Sequence, residues 1–119
     1  MALAEQITAA VTAHAAWKVR LSQAIAAGSS DFAVATVRQD NQCPFGKWLY
    51  GEVDPTSRSS PHYETVRKLH ASFHVGAAGV LALALAGKRA EAEAAMAPGS
   101  EFARASTQLT LALTAWQRA

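Results

Sequence analysis

Residues 60–87 read SPHYETVRKLHASFHVGAAGVLALALAG, and this stretch decides the fold. Ser60-Pro61 is a helix start: serine as N-cap and proline in the first turn, where the missing N–H costs nothing. Tyr63, Val66, His70, Phe73, Ala77 and Val80 recur on one helical stripe. Gly87 is the expected stop, so the spacing predicts a helix from Pro61 to about Ala86. Its apolar run, Val75 to Ala86, is too short to span a bilayer and reads as a buried helix, so no membrane partner is expected. Gly76 and Gly79 are costly inside a helix unless another helix packs closely against them, within or between subunits.

Working outward, Leu3 to Ala27 contains neither proline nor glycine and ends at Gly28. Leu3, Ile7, Val11, His14, Leu21 and Ile25 line one face, which predicts a first long amphipathic helix. A second helix is expected from Phe32 to about Gln42, capped by Ser30 or Asp31, with Phe32, Ala35 and Val37 inward. Cys43 then stands at a break, and Pro44 opens a short extra helix carrying the Cys-x-Phe-Gly-x-Trp motif. Glu52 to Ser60 reads as a polar loop. Lys88 to Ala97 suggests a short helix, broken at Pro98-Gly99. Ser100 caps a last helix with Phe102, Ser106, Leu109, Leu113 and Trp116 inward. The expected fold is all-α: an antiparallel four-helix bundle with one short insert, a single domain over residues 1–119.

Composition agrees. Alanine supplies nearly a quarter of the 119 residues, which favours helix over sheet. One cysteine allows no intrachain disulfide. The N-terminal Met-Ala-Leu-Ala-Glu-Gln lacks the basic and apolar regions of a secretion signal, so the expected compartment is the cytoplasm. Eleven basic against nine acidic residues give a net charge of +2, scattered without a patch that would track nucleic acid.

The chemistry lies in the histidines. His70 and His74, at i and i+4, share a helical face and can reach one ion, although the pair alone fits two ordinary core histidines equally well. Ala71 stands where a zinc protease carries its glutamate, so that motif and its general base are absent. His14 lies on the inner stripe of the first helix and Cys43 at a shaped break. Three imidazoles and one thiolate make a closed tetrahedral zinc set, and zinc suits this donor mix better than magnesium or calcium. His62, two turns before His70, is expected to be solvated and off the site.

His14-x-x-Trp17-Lys18-x-x-Leu21, Cys43-x-Phe45-Gly46-Lys47-Trp48-Leu49-Tyr50-Gly51 and His70-x-x-Phe73-His74 follow at intervals of 29, 27 and 4 residues between the ligand candidates. In this order they closely resemble the chemoreceptor zinc-binding (CZB) domain family. Pro98-Gly99-Ser100-Glu101-Phe102 and the apolar helix after it are similar to that family's C-terminal segment. The resemblance implies a helical bundle with zinc held by His14, Cys43, His70 and His74. It implies a homodimer and a sensory or regulatory role, as in bacterial chemoreceptors and diguanylate cyclases. There the signal is zinc itself or an oxidant such as hypochlorous acid acting on the zinc-bound cysteine. No output domain is recognisable in the sequence, so a signalling partner is expected. Four protein ligands leave no open position, and no acid or base stands beside them, so no enzyme is expected. The alternatives are a purely structural zinc protein and a hemerythrin-like iron protein. The latter needs more histidines and bridging carboxylates on inner stripes.

Overall fold

A computed structural model describes residues 3–119. Met1 and Ala2, the start of the stretch read for a secretion signal, lie outside the described residues. Seven helices follow in order: α1 (Leu3–Ala27), α2 (Val34–Arg38), α3 (Pro44–Tyr50), α4 (Pro55–Arg58), α5 (Pro61–Leu85), α6 (Arg89–Met96) and α7 (Glu101–Arg118). The fold is an all-α bundle, as the sequence predicts.

The three long helices form where periodicity and caps agree. Ser60 accepts a hydrogen bond from the His62 amide, and Ser100 accepts one from the Ala103 amide. Gly28 and Gly87 end α1 and α5 at positive φ, 69° and 74°, which a side chain would resist. The expected inner stripe of α5 is buried from Val66 to Val80, with Tyr63 half-buried at its start, and all five residues named for α7 are buried.

Contacts fix the topology. Tyr63 packs on Trp116, and Phe73 on Phe102, so α5 and α7 run antiparallel. The Gln117 side chain donates to the Ala4 carbonyl and the Thr8 hydroxyl, clasping the end of α7 to the start of α1. Hence α1 and α5 ascend side by side. The chain descends between them through α2, α3 and α4, and again through α6 and α7. The bundle therefore has two unbroken ascending legs and two descending legs made of pieces.

Three local expectations change. The second helix is one turn rather than eleven residues. Ser30 instead accepts from the Phe32 amide in a turn, and the residue before α2 is Ala33, which offers no side-chain cap. Val34, Thr36 and Val37 add β-branched residues that extend helices poorly. Val37 is buried, but Ala35 is exposed and Phe32 is 41% exposed, lying on Trp17 with Arg20 over both rings. Within the expected loop 52–60, Asp54 accepts from the Ser57 amide and caps α4, while Val53 is buried. Gly76 does meet a close neighbour: a Cβ there would stand 3.2 Å from the Phe102 ring, so the approach lies within the chain. Gly79 faces open space, and no close helix explains it.

By length and composition α5 could cross a membrane. Here it is the central helix of the bundle, with nearly half of its apolar stretch buried against its neighbours and two buried histidines midway.

Candidate metal centre

The parallel course of α1 and α5 brings His14 level with His70 and His74. The descending segment between α2 and α3 lays Cys43 across the gap. Ligand atoms of His14, Cys43, His70 and His74 all lie within 4.8 Å of one another. His70 Nε2 is 3.0 Å from His14 Nε2 and 3.1 Å from His74 Nε2. Cys43 Sγ stands 3.4, 3.6 and 4.0 Å from the Nε2 atoms of His70, His74 and His14. Nitrogen at about 2.0–2.1 Å and sulfur at about 2.3 Å from one tetrahedral centre would stand about 3.3–3.6 Å apart, a range that the five separations above, 3.0–4.0 Å, bracket. His62 sits at the start of α5, outside the group, as expected.

The orientation of two rings is set from behind. His14 Nδ1 lies 2.6 Å from the Ala10 carbonyl, and His74 Nδ1 lies 2.9 Å from the Val37 carbonyl. A carbonyl only accepts, so each Nδ1 carries the proton and each Nε2 presents a lone pair to the common point. Hydrogen bonds alone leave four convergent acceptor atoms sharing one thiol proton and one proton of His70. A cation serves all four at once. Among the described residues, none is a hydrogen-bond partner for His70 Nδ1. That ring is held by packing instead, with Phe45 edge-on at 5.2 Å and the rings of His14 and His74 on either side.

Burial sets the protonation state. It holds His70 down at about 2 and His14 at about 4, the Ala10 bond opposing it at His14. His74 is lowered for the same reason. Burial pushes the Cys43 thiol up, partly opposed by the Gly46 amide, which donates to Sγ at 3.3 Å. At neutral pH the imidazoles are therefore already neutral, as ligands must be, while the sulfur still carries its proton.

Cys43 is the N-cap of α3, and the motif glycine explains why it can be. A Cβ on Gly46 would fall 1.8 Å from the Asp40 carbonyl oxygen. Only glycine lets the incoming loop cross α3 so closely. Phe45, Trp48 and Phe73 pack the surrounding core, and the three histidines are buried while Cys43 is half-buried. Solvent therefore meets the site on the cysteine side. The carbonyls of Ala10 and Val37 were not legible as site groups, since a backbone acceptor carries no residue signature.

Among the described residues, no carboxylate joins this group. The sequence model of the family described as the chemoreceptor zinc-binding domain matches residues 14–81. No curated protein and no solved structure matches the chain.

Proposed function

The chain belongs to the chemoreceptor zinc-binding domain family, and from this we propose that it is a zinc-dependent regulatory module rather than an enzyme. The observation that carries the reading is the convergence of two carbonyl-fixed imidazole lone pairs, a third imidazole and one sulfur at a buried point. Neutral nitrogen with thiolate suits zinc, and the lack of a carboxylate speaks against a bridged iron pair. Four protein ligands close the coordination sphere and leave no place for a substrate or a reactive water.

The ligands come from α1, the Cys43 segment and α5, so one ion ties three elements of the bundle. Binding free energy at such a site is also folding free energy, so occupancy sets how firmly α1 is held. A cytoplasmic homodimer, coupled to a chemoreceptor or diguanylate cyclase pathway, is the setting the family resemblance supports. The signal is zinc itself or an oxidant acting on the half-buried Cys43 thiolate. With one cysteine in the chain, recovery of an oxidised sulfur needs an external thiol or a second subunit.

Elemental analysis and competition with a chromophoric chelator test the reading, with one zinc per chain expected. Limiting hypochlorous acid should release zinc in step with oxidation of Cys43 and raise amide exchange in α1 more than in α5. Zinc that stays bound while Met96 oxidises first would leave a purely structural site.

The protonation states give a pH dependence. Burial holds His14, His70 and His74 below the usual imidazole range, and it pushes the Cys43 thiol up. Zinc therefore displaces one proton per ion, and its apparent affinity should rise about 30-fold from pH 6.5 to 8. A markedly steeper rise, up to the fourth power of that, read by chelator competition, would mean that the imidazoles start protonated as well.

A further inference from the structure

Asp40 and Tyr50 lie outside the ligand set, yet they close the segment that carries it. The Tyr50 hydroxyl donates to the Asp40 carboxylate in a short hydrogen bond. On α5, the Tyr63 hydroxyl donates to the carbonyl of Leu49, the residue before Tyr50, and Arg67 pairs with Glu64. Tyr50 is the last residue of α3, whose N-cap is Cys43, and Arg67 stands on α5 one turn before His70. Asp40 lies midway between Val37, whose carbonyl orients His74, and Cys43. Its own carbonyl rests on Gly46. The chain of contacts thus runs from the metal-bearing loop, through the far end of α3, to the helix that carries two more ligands. It lies on the side where Cys43 is half-buried and the other three ligands are not exposed.

We propose that Asp40 and Tyr50 are positioning residues that form a latch on the 39–43 loop and set the rate at which metal enters and leaves the site. This rests on the zinc reading above. Neither residue is a candidate ligand, so the Tyr50 hydroxyl makes no contact with the ion in either state, whereas the Asp40 carboxylate acts on Cys43 and His74 through its charge. A contact equal in two states does not shift the equilibrium between them. It does have to break when the loop lifts to let an ion pass, so it slows entry and exit alike.

The test compares the parent chain with Tyr50→Phe, which removes only the hydroxyl, and Asp40→Ala. Zinc uptake and release are followed by stopped flow with a chromophoric chelator. Both rates should rise about fivefold in each variant, as the loss of one partly exposed hydrogen bond allows. In Tyr50→Phe the dissociation constant should stay within about twofold and the melting temperature should fall by a few degrees equally with and without zinc, since unfolding breaks the same bond; in Asp40→Ala the lost charge also weakens binding. Glu93→Gln, which breaks the exposed Arg89–Glu93 pair on α6, should change neither rate. Unchanged rates in Tyr50→Phe would overturn the latch. So would faster release with unchanged uptake, because the bond would then hold the bound geometry or the fold. If the parent took up no zinc, the metal reading would fall. The latch would still be judged by amide exchange over residues 39–43 in the metal-free chain, which Tyr50→Phe should accelerate and a failed proposal would leave alone.

Discussion

Gly46→Ala is expected to weaken zinc binding strongly although residue 46 donates no ligand atom. The added methyl would meet the Asp40 carbonyl oxygen at 1.8 Å, its carbon at 2.9 Å and the Asn41 Cα at 3.1 Å. These are backbone atoms, so no side chain can swing aside. Either α3 or the loop must shift, and both carry Cys43. Forcing a group into such a space costs about 3 kcal/mol, and more where backbone must yield. At about 1.4 kcal/mol per decade, that is a loss of roughly a hundredfold in affinity if the whole cost falls on the bound state. The Gly46 amide also gives up its alignment on Sγ. Chelator competition and a thermal melt, each with and without zinc, measure the effect. Parent-like affinity would show that the loop relaxes freely and that the glycine serves something else.

His70→Ala should act more directly. The side chain is fully buried, and its Nε2 lies nearest to all the other ligand atoms. Structural zinc sites bind with about 10–16 kcal/mol, so an even share per ligand is about 2.5–4 kcal/mol, or two to three decades. His14→Ala, Cys43→Ala and His74→Ala should fall in the same range. His62→Ala should stay within about twofold, because its imidazole stands at the start of α5. If His70→Ala retained parent affinity by competition titration, the ligand set would have to be redrawn around the other residues.

What could be read from the sequence follows a physical division. Helices with a continuous apolar stripe and a cap at each end, such as Ser60-Pro61 to Gly87, declare themselves, because periodicity and termination come from separate residues that agree. The four ligand candidates declare themselves because inward imidazoles and a lone cysteine are unusual chemistry for a helical core. The descending segment does not. Residues 32–42 have apolar residues at plausible spacing, but their course is dictated by Asp40 crossing Gly46, a contact between residues whose types reveal nothing. α4 rests on a single Asp54 cap inside a polar run. The carbonyls of Ala10 and Val37 and the hydroxyl of Tyr50 act through position alone, and position is what the fold adds.

A tilt of α1 about the clasp of Gln117 on Ala4 and Thr8 would make the helix a lever, with Leu21, Ala24 and Ile25 repacking beyond His14. Its fulcrum lies near Thr8, the effort is applied at His14, and the load is the far end at Ala27. At 1.5 Å per residue the short arm is about 9 Å and the full arm about 28 Å. A rigid tilt therefore magnifies any displacement of the His14 ring about threefold by the end of the helix. An adjustment of half an ångström in how that imidazole is held becomes about an ångström and a half at Ala27 by the same ratio. That is comparable to the small helix shifts that repack interfaces in signalling proteins. A partner reading the state of the buried centre would do best to touch the tip of this helix, where the stroke is greatest.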